Sequence, residues 1–407
     1  MRNIQTGTPK LAIEGGTPVR SAPMPKRRAF GDAERRKVEE AMAYYQEIGQ
    51  DLPYGGKYET EYGDAFTRYQ GGGNTVVVAT GSASCYVALR ALELPEHSEV
   101  LVSPITDPGT LNAIILQGLR PRLMDTQPDS YNVGPEQVVE SMTGQSRAIV
   151  LVHSAGIPAD ARAIATIARE RGLQLFEDCS QAHGARLDNG DRVGTAGSVA
   201  AFSTMYRKAH ISGSSGGLVY SRDQEIYRRA ILHSDRGKPL WDADFNDRHP
   251  SNYMLPAHNW NTDELSCAIG ISSLGRLDKS INDRLNFVEA VRERISARSR
   301  ACSVVSIDRS ASPFFLPVLV GTDRISCTKR EFALAVQAEG IDLNPHYGFL
   351  VSEWPWIQDY LSGPTELANA RRVLDSSFCL YLNENYTDRE AEDVILAIEK
   401  VEDRFCA

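Results

Sequence analysis

Three polar features stand at the ends of apolar runs in the middle of this chain, and each has a chemistry of its own. Lys208 closes Phe202-Ser203-Thr204-Met205-Tyr206-Arg207-Lys208, just ahead of Gly213-Ser214-Ser215-Gly216-Gly217. Upstream, Phe176-Glu177-Asp178-Cys179-Ser180-Gln181 ends an apolar run with an acid. A lysine can form a Schiff base only when its amine is neutral, and burial beside a cation such as Arg207 lowers its pKa. Once displaced, the same amine can carry a proton to and from the reacting carbon. Asp178, flanked by Phe176 and Ala182, would be costly to bury unpaired, and a protonated pyridine nitrogen would supply the missing positive charge. A glycine/serine turn holds a phosphate. An amine, an acid and a phosphate-sized turn are what pyridoxal 5′-phosphate (PLP) requires of a protein.

Further candidates surround these. Gly81-Ser82-Ala83 opens a helix directly after a strand, where free N–H groups and the helix dipole attract anions. An ordinary serine N-cap is the plainer reading; Ser203, five residues before Lys208, favours phosphate. Gln181 could reach the cofactor's phenolic oxygen or be a structural amide. The 213–217 turn lacks the order of a dinucleotide fingerprint, and there is no Walker, Ser-His-Asp or His-Glu-x-x-His signature. His153 and His183 lie near the predicted site without a third ligand at sensible spacing, so no metal is expected. Cys179 reads as packing.

These groups need a scaffold, and the pattern supplies one. Short β-rich runs at Thr75–Ala79, Glu99–Val102, Arg147–Val152, Leu173–Asp178 and Val199–Met205 alternate with helical stretches such as Thr110–Gln117 and Asp160–Arg171. The alternation predicts an α/β fold, a mostly parallel sheet sandwiched by helices. Ligands in such sheets bind beyond the carboxyl ends of the strands. Ser82, Asp178 and Lys208 all fall there. After Asp278 the texture changes: helices over Arg284–Arg298, Lys329–Glu339 and Asp388–Phe405 with strands at Ser303–Ile307 and Phe314–Val320. The expected division is a large cofactor-binding domain at 1–277 and a smaller C-terminal α+β domain at 278–407. Residues 1–50, with a helix near Asp32–Tyr45, are expected to brace the large domain.

Composition narrows the function classes. With 407 residues, a net charge of −9 and no long apolar run, neither a nucleic-acid surface nor a membrane span is expected. The first thirty residues lack a signal-peptide core. Seven scattered cysteines read as free thiols of a cytoplasmic protein.

Together the quoted segments resemble the DegT/StrS-type aminotransferases, a fold-type-I PLP family that makes amino sugars and aminocyclitols. The resemblance implies a seven-stranded sheet and assigns roles: Asp178 to the pyridine nitrogen, Gln181 to the ring oxygen, Lys208 to the Schiff base, and Ser203 with Gly81, Ser82 and Ala83 to the phosphate. Asn259-Trp260-Asn261 resembles the family's Asn-Tyr-Arg segment, whose asparagine reaches the neighbouring subunit's phosphate, implying a homodimer with composite sites. His346-Tyr347 resembles a His-Tyr pair near the substrate. Asp107 stands where the family often places an aromatic ring over the cofactor, and Asn261 replaces its arginine; Arg236 or Lys238 is a candidate to grip a donor carboxylate instead. The implied activity is a ping-pong transfer of an amino group from glutamate or glutamine to a keto or aldehyde group of a sugar, sugar nucleotide, cyclitol or sugar acid. Two rivals remain. One is a PLP-dependent dehydratase or other elimination enzyme, whose relatives carry histidine in place of the lysine; Lys208 opposes it, while His210 keeps it open. The other is a cofactor-binding regulator without turnover, for which no DNA-reading segment is evident.

Overall fold

The computed structural model describes residues 10–406, so positions 1–9 and 407 of the expected division lie outside it. Along the chain run α1 (Asp32–Ile48), α2 (Lys57–Tyr69), β1 (Asn74–Val78), α3 (Gly81–Arg90), β2 (Glu99–Val102), α4 (Pro108–Ile115), β3 (Arg120–Leu123), α5 (Pro135–Ser141), β4 (Ser146–Val152), α6 (Ala161–Glu170), β5 (Gln174–Asp178), β6 (Val199–Ser203), β7 (Gly217–Ser221) and α7 (Gln224–Ser234). They continue with α8 (Glu264–Gly275), α9 (Leu277–Arg298), β8 (Cys302–Val304), β9 (Phe315–Val320), α10 (Lys329–Ala338), β10 (Leu343–Asn344), α11 (Ala368–Asp375), β11 (Ser377–Tyr381) and α12 (Asp388–Phe405).

The first seven strands form one sheet in the order β1-β7-β6-β5-β4-β2-β3. β7 pairs antiparallel with both neighbours and the other pairings are parallel. Alternate residues of these strands enter two separate cores. Leu101, Ile149, Leu151, Leu175 and Phe202 meet α2 and α6 through Phe66 and Ile164 on one face. Val100, Val102, Val150, Phe176 and Val199 meet α3 and α4 through Val87 and Ile114 on the other. A sheet buried on both faces needs apolar residues at every position, which is why these strands read as unbroken runs. The fold is the α/β sandwich expected, with seven strands. A second sheet, order β10-β11-β9-β8 and antiparallel throughout, packs with α9, α10 and α12.

The N-terminal segment departs from expectation. Residues 12–25 hydrogen-bond to the C-terminal unit rather than to the large sheet. The fully buried Glu339 carboxylate accepts the N–H groups of Ala12 (2.8 Å) and Val19 (3.0 Å) and pairs with Lys400 (2.7 Å). Arg20 meets Glu390 (3.1 Å) and Asp393 (2.5 Å), and Asn383 donates to the carbonyl of Pro25 (2.8 Å). A buried carboxylate requires such partners, and the N-terminal strap provides them. Beyond the strap the chain turns to the large unit, where Arg27 bonds the Tyr206 and Ala209 carbonyls and α1 packs against α8. Four strands were not anticipated: β3, an edge strand of sequence Arg-Pro-Arg-Leu; β7, which starts inside the glycine-rich turn; and β10 and β11 of the second sheet.

Candidate active site

Three strand-to-loop junctions of the large sheet meet in one cavity of about 280 Å³. Thr80, Gly81 and Ser82 come from the β1–α3 junction, Asp178, Ser180 and Gln181 from the end of β5, and Ser203 and Lys208 from the end of β6. This is the convergence beyond the strand ends that α/β sheets provide.

Asp178 is 3% exposed and its two oxygens are separately held. The Ser180 N–H donates to Oδ1 (3.0 Å), and the Thr110 hydroxyl donates to Oδ2 (2.7 Å), with the Cys85 thiol at 3.8 Å. Among the described residues Asp178 makes no ion pair. A buried carboxylate without an ion partner is costly, so a cationic ring N–H is the partner its position calls for. Lys208 is 8% exposed, its Nζ lying 4.5 Å from the centre of the Phe314 ring. Burial pushes its ammonium below the usual lysine range, against the pull of Asp178 and Asp107. A neutral amine is the form that attacks an aldehyde.

The phosphate-sized end is built around Gly81. A Cβ there would overlap the Cβ and Oγ of Ser203. The helix is capped by Thr80, whose hydroxyl accepts from the Ala83 N–H (2.9 Å). That corrects two expectations: Ser82 is not the cap, and the Ala83 amide is engaged within the helix. Gly81 and Ser82 keep the open first-turn position suited to an anion. Of the 213–217 turn only Ser215 lines the cavity; Gly217 is the first residue of β7, where a Cβ would strike the Thr80 carbonyl. We expect Gly81→Ala to cost about 1–3 kcal/mol of stability by overpacking against Ser203, with a lower Tm, and to weaken PLP binding by displacing that serine. Titrating apoprotein with PLP by absorbance checks this.

Gln181 is fixed by its surroundings. Its Oε1 accepts the Ala155 N–H (2.8 Å), leaving Nε2 to donate to the Tyr347 hydroxyl (3.3 Å). Ala155 holds a left-handed φ of 61° and also accepts, through its carbonyl, the Phe314 N–H (2.9 Å). Strain of this kind persists where surrounding contacts over-determine it. Asp107 lines the cavity and caps α4, accepting the Gly109 N–H (2.9 Å).

Other predicted residues lie elsewhere. His346 faces Lys329 (3.1 Å), a buried cation of the C-terminal unit, so the His-Tyr pair is split. Arg236 and Lys238 both pair with Asp235, at 2.7 and 3.1 Å, and line no part of this chain's cavity. Asn259 is exposed, its side chain accepting the Asn261 N–H (3.0 Å). His210 is packed between the Tyr62 hydroxyl (2.6 Å) and Ser273 (3.2 Å), and burial pushes it down to about 3. His153, Glu177 and Cys179 cluster, but four donors occupy the Glu177 carboxylate: His153 and the N–H groups of Gly194, Ala196 and Gly197. The cluster is a hydrogen-bonded buckle under the sheet. Sequence reasoning missed Thr110 and Phe314; the first sits in a helix read only for its apolar face, the second in a strand-like run of the other unit.

Residues 35–399 match the DegT/DnrJ/EryC1/StrS aminotransferase family. The chain belongs to that family. It is a PLP-dependent aminotransferase by that membership, and the cavity fits the cofactor's charges. Among similar proteins, one from Streptoalloteichus tenebrarius carries the provisional name L-glutamine:3-amino-2,3-dideoxy-scyllo-inosose aminotransferase; it is 31% identical over 369 residues, 86% of each chain. An aminotransferase from Psychrobacter cryohalolentis superposes with a TM-score of 0.85 at 22% identity, covering 93% of this chain and 98% of the other. The Escherichia coli GDP-4-keto-6-deoxy-D-mannose-3-dehydratase, solved with hydrated PLP, gives 0.82 at 20% identity, covering 94% and 99%.

Proposed function

We propose that this aminotransferase moves an amino group from glutamate or glutamine to the keto or aldehyde carbon of a sugar-like or cyclitol acceptor in a ping-pong cycle. The observation that carries the reading is the convergence of a buried lysine, a buried hydrogen-bonded aspartate and an open helix start on one cavity. Bound there, PLP supplies an aldehyde for the amine and a ring that draws electrons from the reacting carbon. The protein's own groups divide the remaining work. Asp178 holds a proton on the ring nitrogen, and Thr110 and Ser180 hold Asp178. Gln181 presents Nε2 to the ring's phenolic side. Gly81, Ser82 and Ser203 seat the phosphate. Lys208 would anchor the cofactor, and its amine would carry the proton to and from the reacting carbon.

Three further features belong to this reading. Among the described residues no arginine lines the cavity, so a donor carboxylate would be held from the C-terminal unit or a second copy of the chain. In this reading Asn259, exposed next to the Trp260–Ala79 backbone contact (2.8 Å), would serve the partner of a homodimer. Residues up to 277 would form the cofactor-binding domain and 278 onward the closing domain, the boundary falling in the first turn of α9. No described helix is long and apolar enough to cross a membrane; a cytoplasmic enzyme of amino-sugar or aminocyclitol synthesis fits the reading. The elimination rival needs a histidine where Lys208 stands, and His210 is turned into the core.

A donor–acceptor screen tests the proposal. With glutamate or glutamine alone the yellow colour should fade, and a keto-cyclitol or keto-sugar should restore it with an aminated product. Colour loss with release of deoxy product and no amine incorporation would overturn it.

A further inference from the structure

Lys208 sits on a loop, and a loop amine must still be held to well under an ångström to act on one carbon. The strap described above contributes to that hold. Arg27 donates through Nη1 to the carbonyl of Tyr206 (3.1 Å) and through Nη2 to that of Ala209 (3.3 Å), gripping the backbone on both sides of Lys208. Its third edge, Nε, meets Glu384 Oε1 (3.3 Å). The other oxygen of Glu384 pairs with Arg284 (3.1 Å), which is 1% exposed and whose Nη1 donates to the carbonyl of Pro313 (3.3 Å). Pro313 immediately precedes Phe314, the ring against the Lys208 amine.

From this geometry we propose that Arg27 and Glu384 are positioning residues for the lysine. One carboxylate links two guanidiniums: the first fixes the backbone that carries the amine, the second fixes the backbone that carries its aromatic cover. A planar fork with several donors suits this role, because it can span two carbonyls and a carboxylate at once; a lysine's point charge cannot. The inference rests on Lys208 being the cofactor's anchor.

The test compares Arg27→Ala, Arg27→Lys, the near-isosteric Glu384→Gln and a control, Arg294→Ala, which removes a guanidinium that pairs with the α12 acids Asp388 and Glu392 and donates to the Ala290 carbonyl, away from the lysine loop. Borohydride reduction of the holoenzymes and peptide mass mapping come first. Label on a residue other than Lys208 in the parent protein would overturn the anchor reading itself. With label on Lys208, kcat of the Arg27 and Glu384 variants should fall about 10- to 100-fold, as expected for an ångström-scale misplacement. KM should change little, because neither residue touches the cavity. Millimolar methylguanidine should restore part of kcat to Arg27→Ala only. Unchanged kcat in both Arg27→Ala and Glu384→Gln, or an equal fall in the Arg294→Ala control, would overturn the positioning role while leaving the anchor intact. If Arg27→Ala does not fold, Glu384→Gln and Arg27→Lys alone decide it by the same split.

Discussion

Replacing Lys208 by Ala is expected to lower kcat/KM by at least about 10⁴-fold, because one substitution removes both the covalent anchor and the proton carrier. The fold should survive, and for a physical reason. An amine buried at 8% exposure and pushed below its ordinary pKa is a group whose charged form the folded state disfavours. Below the lowered pKa the apoprotein bears that penalty in full; it fades as pH rises toward the unfolded lysine value. Removing the amine removes the penalty, so Lys208→Ala apoprotein should melt no lower than its parent at neutral pH, apart from the lost packing against Phe314. Borohydride should no longer fix PLP to the chain. A variant that still turns over, or is still labelled, would mean that another amine carries the reaction.

Asp178→Asn should slow transfer about 10²–10³-fold, the scale seen when one preorganised charged or dipolar partner is removed from a dry site. The shape is kept and the Thr110 and Ser180 contacts can persist, so the loss isolates the charge. Without the carboxylate nothing in the cavity keeps the ring nitrogen protonated, and the electron-drawing power of the ring falls. Donor and acceptor half-reactions followed separately by stopped-flow absorbance should both slow. An unaltered rate in either would remove Asp178 from the role assigned to it.

Much of this was legible in the residue order because the sheet is buried on both faces. Runs such as Ala148–Val152 and Val199–Phe202 carry no polar residue, so the first polar group after each marks a strand end. Asp178 lies at such an end and Lys208 five residues beyond another, at Ser203. What the residue order could not show shares one origin. Arg236 and Lys238 looked free because each was read as a charge in a loop, yet Asp235 stands beside them and captures both. His346 looked like half of a pair until Lys329, seventeen residues earlier, drew it away. Phe314 and Arg27 reach Lys208 across about a hundred residues or more, Arg27 meeting Tyr206 at a separation of 179. No local spacing encodes such contacts; they exist only once both sheets have formed.

The strap over the C-terminal unit has a consequence during synthesis. Ala12 and Glu339 are 327 positions apart, and Thr17 and Lys400 are 383 apart. At ribosomal rates of about 5–20 residues per second, the early segment waits roughly 20–75 seconds for its partners to emerge. The seven-stranded sheet and its cofactor cradle can assemble in that interval. The Glu384 link that ties Arg27 to Arg284 can therefore form only after translation has passed Glu384.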